Sequence, residues 1–365
     1  RQIDSRQGEK NMFLYDSEQY RKDLQEAVFQ VKDIEKLKGS SVLIAGAAGL
    51  IGSYVADMLL TANELLDTGI KVLAMGRSRE RLSARFQGWS RENLVLVEQD
   101  VAEPLDLDFQ VDYIIHGASN AYPQAFSQDP VGTMMSNITG TLRLLEYGRT
   151  HGARRFLFVS SGEVYGQGDV SVEAFEEAYS GYVDILNPRS CYPSSKRAAE
   201  TLCCSFWKQY GLEAVIVRPC HTYGPNTTGK DNRATAQFME NVGKGQNIVL
   251  KSAGSQMRSY AYVADCATGL LTVLLRGLPG EAYNLAYEKS RVTIAEFAQI
   301  TARLSGRQVV FENPDKKALE ERSPVPRQVL DSRRLEALGW QGQYTPEKGI
   351  QHTLEILKGK EGGLS

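Results

Sequence analysis

The sequence predicts an α/β fold built on a doubly wound parallel sheet, because short apolar runs alternate with helix-forming segments and the first run ends in a glycine-rich turn. Alternation at this spacing is typical of parallel strands joined by helices. The predicted strands span residues 42–45, 72–75, 94–97, 113–115, 156–159 and 214–217. After residue 219 the alternation loosens, and one further helix is predicted over 294–304. A chain of 365 residues with 42% hydrophobic content can bury a large core.

The first predicted strand turns on glycines into a helix, which predicts a dinucleotide site. Residues 41–52 read SVLIAGAAGLIG. Gly46 permits the tight turn, Gly49 lets the backbone approach a phosphate, and Gly52 lets the helix pack on the strand. Free backbone N–H groups and the positive end of the helix dipole then favour a bound pyrophosphate.

A second motif pairs Tyr192 with Lys196 in the helix-forming segment CYPSSKRAAETL. A spacing of four residues places both side chains on one helix face. Tyrosine needs its pKa lowered by roughly three units, about 4 kcal/mol, to act as a base near neutrality. An adjacent ammonium and a cationic nicotinamide supply such a field, so we expect Lys196 to lower the pKa of Tyr192.

One other pair has the same spacing, Tyr344 and Lys348. It spans Pro346 and follows neither a strand nor a serine, so it predicts a solvated helix start. By contrast, the run RRFLFVSSGEVYG at 154–166 delivers Ser160 and Ser161 at the end of a predicted strand, where an open α/β sheet presents its chemistry.

These motifs together resemble the extended short-chain dehydrogenases/reductases that act as nucleotide-sugar epimerases, dehydratases and decarboxylases. The glycine spacing GxxGxxG, the Tyr-x-x-x-Lys pair and SSGEVYG carry the resemblance. Further matching blocks, in chain order, are HGAS at 116–119, NITGT at 137–141, RPCHTYGP at 218–225 and GSQMRSYAYVAD at 254–265. The resemblance covers about residues 40–355.

The resemblance implies a Rossmann-type domain and a smaller, mostly C-terminal lobe that binds a nucleoside diphosphate sugar. We expect an N-terminal helical extension, read as a surface helix, over 1–38 and an NAD(P)-binding domain over 39–220, with 258–285 returning to it. The substrate lobe is expected over 221–257 and 286–365.

In this family Ser161, Tyr192 and Lys196 correspond to the residues that oxidise the sugar at C4. Glu163 resembles the glutamate that dehydratases and UDP-glucuronate decarboxylases place near C5, and the motif text is closest to the decarboxylases. The resemblance places the substrate beside Tyr122, His221, Arg233 and Arg258. Arginine suits this role because its planar fork of donors matches phosphate oxygens.

Two residues depart from the family pattern. Gly162 occupies the position of an aspartate in dehydratases and a serine in decarboxylases, and His221 replaces an asparagine that helps bind the substrate diphosphate. After oxidation at C4, the alternatives are therefore decarboxylation, 4-epimerisation and 4,6-dehydration. Two other classes use the same fold: a net reductase, and a non-catalytic NAD(P)-sensing binding protein, which usually loses the tyrosine or the lysine.

The cofactor is NAD or NADP, with the local residues and the family pattern pointing in different directions. NAD-dependent members usually end the second strand in an acidic residue that binds the ribose, whereas this strand ends at Gly76, followed by Arg77. Asp100 resembles the residue that binds the adenine amine, although a capping role fits equally. The resemblance assigns to the cofactor Gly46, Gly49, Leu50, Ile51, Gly52, Arg77, Asp100, Val101, Ala118, Tyr192, Lys196 and Pro219.

Composition predicts a cytoplasmic enzyme without nucleic-acid or membrane partners. The net charge is −2, which gives no basic footprint for either partner. The five cysteines and four histidines are scattered without metal-ligand spacing, so reduced thiols and no metal are expected. Helices around 130–150 and 192–210 predict a homodimer, as in relatives.

Overall fold

A computed structural model describes residues 13–169, 171–229, 231–313 and 325–361, and the side chains of 359–361 are not described. The strands are β1 Ser41–Ala45, β2 Lys71–Gly76, β3 Leu94–Glu98, β4 Tyr113–His116, β5 Arg155–Val159, β6 Glu213–Pro219, β7 His221–Tyr223, β8 Ile248–Leu250, β9 Met257–Tyr262, β10 Ala282–Leu285, β11 Arg291–Thr293, β12 Val309–Phe311 and β13 Arg327–Gln328. The helices are α1 Glu18–Gln30, α2 Leu50–Leu66, α3 Arg79–Arg85, α4 Pro123–Gln128, α5 Pro130–Thr150, α6 Cys191–Tyr210, α7 Ala234–Gly243, α8 Val263–Arg276, α9 Ile294–Ser305, α10 Arg333–Ala337 and α11 Pro346–Glu361.

The central sheet confirms the predicted doubly wound α/β fold. Across the described residues it contains seven parallel strands in the order β3-β2-β1-β4-β5-β6-β10. The six predicted strands are all present, and β10 is an additional edge strand. The strand order reverses between β1 and β4, which opens a crevice outside the carboxyl ends of these strands.

Both faces of the sheet are covered, as expected for apolar runs without polar alternation. Along β1, Val42 and Ile44 belong to a core shared with α2 and α8. Leu43 and Ala45 point to the opposite core, which α5 and α6 complete. The sheet is therefore a buried platform, and its carboxyl edge is held rigidly.

A smaller sheet lies beyond the main one and combines β11, β9 and β13, with β7 also paired to β9. The expected return of 258–285 to the Rossmann domain stays a prediction, and its residues lie in two different sheets. Residues 258–262 belong to β9 in the small sheet, and only α8 and β10 return to the main fold. Apolar content alone could not distinguish which sheet β9 joins.

The predicted helix over 294–304 is confirmed as α9. Thr293 and Glu296 form a reciprocal capping box at its start, and Gly306, with φ +67°, follows its last residue. Two backbone donors are satisfied by the cap, and the left-handed conformation after the helix suits glycine.

The N-terminal segment is helical as predicted, but it is more than a surface helix. Tyr20, Leu24 and Val28 of α1 are fully buried, and the helix packs against α2, α8 and α11. Its outer face carries exposed Glu18 and Lys22. Residues 1–12 of the predicted extension lie outside the described residues. The helix therefore belongs to the core that joins the two lobes.

Buried polar bonds fix α1 in this position. The Tyr20 hydroxyl donates to Asp57 of α2 at 2.7 Å, and Asp23 accepts from the Tyr262 hydroxyl at 2.6 Å. Asp23 also lies 2.8 Å from Nδ1 of His352 in α11. Carboxylates buried in an apolar layer require such partners, which explains why α1 docks in one register.

Candidate active site

A cavity of about 900 Å³ lies at the carboxyl edge of the main sheet, between the two lobes. Its lining includes every residue that the sequence predicted for catalysis, cofactor or substrate. These are Gly46, Gly49, Leu50, Ile51, Gly52, Arg77, Asp100, Val101, Ala118, Tyr122, Ser161, Glu163, Tyr192, Lys196, Pro219, His221, Arg233 and Arg258. Their location in one cavity is observed, while their individual roles stay predictions.

The glycine turn forms a cradle with room for backbone alone. Gly46 has φ +83°, and a Cβ there would lie 2.8 Å from the backbone N and Cα of Ala118. A Cβ on Gly52 would lie 2.5 Å from the carbonyl oxygen of Gly46. Gly49 is the N-cap of α2 and supplies no side-chain acceptor to the first turn. A pyrophosphate fits this N-terminus, so the residues suit a dinucleotide.

Arginine side chains that follow β2 line part of the same cavity. Arg77 Nη2 donates to Asn120 Oδ1 at 3.3 Å, which directs the guanidinium across the cavity wall. Ser78 caps α3 by accepting from the backbone N–H of Arg81, and both residues also line the cavity. Asp100 accepts from the Ala102 N–H at 3.0 Å, the contact expected of a turn cap.

Tyr192 is buried on the first turn of α6 and stacks on Phe126, with ring centres 4.7 Å apart. Burial raises the pKa of Tyr192 to about 12, and the hydrogen bond with Ser161 opposes that increase. Lys196 is expected to lower the pKa of Tyr192, but it is not among the groups that shift that pKa in the structure. The Lys196 ammonium lies 5.6 Å from the Tyr192 ring centre, and desolvation has the larger effect.

Lys196 is anchored by the strand that precedes it in the site. Its Nζ donates to the Val159 carbonyl at the end of β5, at 2.8 Å. Burial lowers the pKa of Lys196 to about 7, and nearby Glu200 opposes that decrease. The ammonium of Lys196 is therefore held in one position by its hydrogen bond, and its charge changes near pH 7.

Sequence reasoning missed the polar cluster beneath this lysine. Arg218 forms a two-point contact with Glu200, at 2.9 Å from Nε and 2.6 Å from Nη2. The Ser160 hydroxyl donates to the same carboxylate at 2.5 Å. Glu200 follows Lys196 by one helical turn, which was the available signal, because residues four apart share a helix face.

Within the cavity, Glu163 lies near a buried arginine. Arg258 is 3% exposed and donates to the carbonyls of Met257 and Val325, at 2.9 and 2.6 Å. Gln328, which sequence reasoning missed, donates to Glu163 Oε1 at 3.4 Å. No motif marks Gln328, since it reaches Glu163 across 165 residues through strand pairing of β13 with β9.

Three further predicted residues line the same cavity. Arg233 is the N-cap of α7 and pairs with Asp231 through Nε and Nη2, at 2.9 and 2.5 Å. His221 begins β7, and burial together with Arg258 and Arg233 lowers the pKa of its ring to about 3. Tyr122 is half-buried at the start of α4.

Gly162 is confined by its neighbours. A Cβ added there would lie 3.3 Å from Leu330 Cδ1 and 3.6 Å from the Pro219 carbonyl oxygen. A residue larger than glycine at this position would require the Leu330 side chain to move by a few tenths of an ångström.

The strand order, the glycine cradle and the crevice at the carboxyl edge define a Rossmann-type dinucleotide-binding protein. The chain belongs to the NAD dependent epimerase/dehydratase family, whose model matches residues 42–286. Proteins of this family are enzymes, and this agrees with the sequence prediction.

The curated relatives include UDP-glucuronic acid decarboxylases. UDP-glucuronic acid decarboxylase 1 of Xenopus tropicalis is 31% identical, over 90% of this chain and 74% of that protein. UDP-glucuronic acid decarboxylase 3 of Arabidopsis thaliana is 33% identical, over 85% of this chain and 86% of that protein.

Solved structures share the fold across most of the chain. A Thermus thermophilus UDP-glucose 4-epimerase in complex with NAD has a TM-score of 0.70 and 25% identity, covering 87% of this chain and 99% of the epimerase. A Bacillus cereus UDP-glucuronic acid 4-epimerase, in complex with UDP-glucuronic acid and NAD, has a TM-score of 0.72 and 20% identity, covering 87% and 99%. At this identity the second match supports the fold alone.

Within the described residues, no helix is sufficiently long and apolar to span a bilayer. The same part of the chain contains no cluster of three or more His, Cys, Asp and Glu side chains suited to a metal ion.

Proposed function

We propose that this protein oxidises UDP-glucuronate, or a closely related nucleotide uronate, at C4 and then decarboxylates it. The observation that carries the proposal is the placement of Glu163 and Arg258 in one cavity with Ser161, Tyr192 and Lys196. The relatives named as UDP-glucuronic acid decarboxylases support the same conclusion.

In the oxidation step Tyr192 accepts the proton of the sugar 4-hydroxyl, and Ser161 donates a hydrogen bond to that oxygen. An NAD(P) held by the glycine cradle of Gly46, Gly49 and Gly52 would supply the hydride acceptor for C4, the later hydride donor and, when oxidised, a positive charge. Lys196 remains anchored on Val159 and contributes positive charge beside the tyrosine when protonated. Positive charge beside the phenol opposes the increase in the pKa of Tyr192 that burial causes.

The decarboxylation step follows from the chemistry of the 4-keto sugar. The new ketone lies beta to the C5 carboxylate, so breaking the bond to CO2 leaves the electron pair in an enolate. Arg258 holds the carboxylate out of the sugar plane, while Ser161 and Tyr192 stabilise the enolate oxygen. Glu163 acts as the acid that returns a proton to C5.

One observation favours an alternative outcome. Two donors of Arg258 are occupied by the carbonyls of Met257 and Val325, which leaves fewer donors for a substrate carboxylate. A neutral hexose needs no such partner, and 4-epimerisation or 4,6-dehydration would follow the same oxidation. A non-catalytic NAD(P)-sensing role is disfavoured because Tyr192 and Lys196 both lie in the cavity.

The test is incubation of the purified protein and cofactor with UDP-, dTDP-, GDP- and CDP-sugars, with and without a C5 carboxylate. We expect CO2 and a pentose nucleotide from UDP-glucuronate, and no CO2 from the Arg258→Lys protein, which keeps the charge but loses the planar fork. Epimerised or dehydrated neutral hexoses with untouched uronates would overturn the decarboxylase proposal. Stoichiometric consumption of NAD(P)H would instead indicate a net reductase.

We further propose that the cofactor is NAD or NADP, and that the residues at the end of β2 favour NADP. Gly76 replaces the ribose-binding carboxylate, and Arg77, Ser78 and Arg81 line the adjoining wall, a chemistry suited to a 2′-phosphate. Arg77→Ala should weaken NADP binding by about 1.5–3 kcal/mol and leave NAD unchanged, as expected for a charged hydrogen bond. Calorimetry with both cofactors checks this, and equal NADP affinities would remove Arg77 from the site.

For assembly and location, we propose a homodimer in the cytoplasm. Val131 and Met135 of α5 are 69% and 44% exposed, which leaves an apolar face beside the α5–α6 pair for a second copy. All cysteines of the chain are free, which favours a reducing compartment. Light scattering of wild-type and Met135→Glu protein tests the dimer, and a wild-type monomer would overturn it.

A further inference from the structure

We propose that His221 takes up a proton when the diphosphate of a nucleotide sugar binds between Arg233 and Arg258, which makes anion binding depend on pH. The inference rests on the proposed nucleotide-sugar function and adds to it a specific coupling between substrate binding and a protonation step. It assigns His221 a binding role and leaves the chemistry at C4 to other residues.

The position of His221 supports this role. His221 is the first residue of β7 and lies in register with Tyr260 of β9, with ring centres 5.9 Å apart. Its imidazole lines the cavity, and among the described residues it forms no hydrogen bond. A ring nitrogen without a protein partner in a polar cavity wall is available to a ligand.

The two arginines differ in how much of their charge is already compensated. Arg233 is paired with Asp231 through two bonds, so its charge is largely neutralised. Arg258 has only carbonyl acceptors and, within the described part of the chain, no ion pair. An incoming diphosphate carries two negative charges, and this wall offers about one uncompensated positive charge.

The charged and titratable groups around His221 come from every neighbouring element. They are Arg258 and Tyr260 on β9, Arg233 and Asp231 at the start of α7, Glu163 and Tyr192 across the cavity, and Cys220 before it in the chain. Burial is the main cause that lowers the pKa of His221 to about 3, and Arg258 and Arg233 add to it, so the imidazole is neutral in the free protein at pH 7.

A bound dianion adds negative charge to the surroundings of His221. It compensates the arginine charge and attracts a proton to the imidazole, so the pKa of His221 is higher in the complex than in the free protein. Binding is then tightest below the pKa of the complex and weakens as pH rises through it. For a single linked proton the affinity falls at most about tenfold per pH unit in that window.

The experiment titrates UDP-glucose into Tyr192→Phe protein, in which the sugar is not converted. The diphosphate of UDP-glucose is a diester whose charge is constant from pH 5 to 9, so any proton taken up on binding is bound by the protein. Calorimetry at pH 6 in buffers of different ionisation enthalpy should show uptake of about one proton. The affinity should be several-fold higher at pH 6 than at pH 8.

The matched variant is His221→Asn in the same background, since asparagine keeps a hydrogen-bonding side chain of similar size that does not titrate. Its proton uptake should fall to near zero and its affinity should be flat with pH. A Lys196→Met protein in the same background removes the other group that titrates near neutrality, and it should retain the uptake.

Proton uptake can also be observed directly by NMR. The chain has four histidines, so the His221 ring signals are identified by their loss in the Asn variant. The inference is overturned if the His221→Asn protein binds UDP-glucose with unchanged proton uptake. It is also overturned if the protein that keeps His221 binds UDP-glucose without proton uptake. Either result leaves the proposed function standing. Failure of every nucleotide sugar to bind overturns both.

Discussion

The chain contains two tyrosine–lysine pairs with identical spacing, and the structure places them in contrasting surroundings. Tyr192 and Lys196 lie in the cavity at the carboxyl edge of the main sheet, with the lysine anchored on the Val159 carbonyl. Tyr344 is 1% exposed at the start of α11, away from the cavity, and the Lys348 ammonium lies 4.2 Å over its ring.

The difference teaches that spacing alone does not define a catalytic pair. The second pair has the closer cation, yet its tyrosine contacts Asp23 and Glu26, and those acids with burial raise the pKa of Tyr344 further. The predicted helix start is confirmed at Pro346, but the expectation of a solvated pair is wrong because Tyr344 is buried. We therefore expect function to depend on the carboxyl edge of the sheet and on Ser161, which the second pair lacks.

The largest expected effect separates the two tyrosines. Tyr192→Phe should lower turnover by at least about 100-fold, because only the oxygen that moves a proton is removed. Tyr344→Phe should leave turnover within about twofold. Steady-state rates of both proteins, with circular dichroism as a folding control, make the comparison. A Tyr192→Phe protein retaining more than about a tenth of the wild-type rate would contradict the general-base role.

The next prediction compares the two lysines by the pH dependence of the unfolding free energy. The folded-state pKa of Lys196 is lowered to about 7, below the ordinary value near 10.4. The unfolded chain therefore binds the extra proton between these values, and burial of the lysine costs stability below about pH 7 that is recovered as pH rises toward 10.

Lys196→Met should thus stabilise the cofactor-free protein at pH 6 by about 1–2 kcal/mol, after allowing for the lost bond to Val159. The gain should shrink toward pH 10, while turnover and cofactor affinity are lost at every pH. Urea unfolding at pH 6, 8 and 10 measures it. A gain independent of pH, or one matched by Lys348→Met, would show that Lys196 is not the titrating group.

A smaller effect concerns the hydroxyl of Tyr344. Tyr344→Phe should cost about 0.5–1.5 kcal/mol of unfolding free energy, because buried Asp23 and exposed Glu26 lose a donor. Thermal unfolding with a matched Tyr182→Phe control, an exposed tyrosine, isolates the buried contribution. Equal midpoints for the two variants would mean that the Tyr344 hydroxyl contributes nothing to the fold.

The smallest effect is that of Lys348. Replacing it by Met should change the unfolding free energy by about 0.5 kcal/mol, the typical size of a partly exposed cation–π contact. Urea unfolding at low and high salt checks the value. A loss of several kcal/mol, or any loss of turnover, would mean that the second pair matters more than its position suggests.

The sequence predicted those features that depend on neighbours along the chain. The six strands, the glycine turn and the helix faces of Tyr192 and Lys196 follow from periodicity and short spacings. The pairing of Gln328 with Glu163, the place of β9 in the small sheet and the edge strand β10 depend on contacts between distant segments, which no local pattern encodes. The direction of the Tyr192 pKa shift required the extent of burial.

Helix α1 has a consequence for how the molecule is made. Asp23 leaves the ribosome before its partners Tyr262 and His352, which follow 239 and 329 residues later in the chain. Until α8 and α11 have been synthesised, the apolar side of α1 lacks these two helices, and Asp23 lacks these two hydrogen-bond partners. Closing so long a loop carries an entropic cost that falls late in folding. The docking of α1 is therefore complete only after α11 has been synthesised.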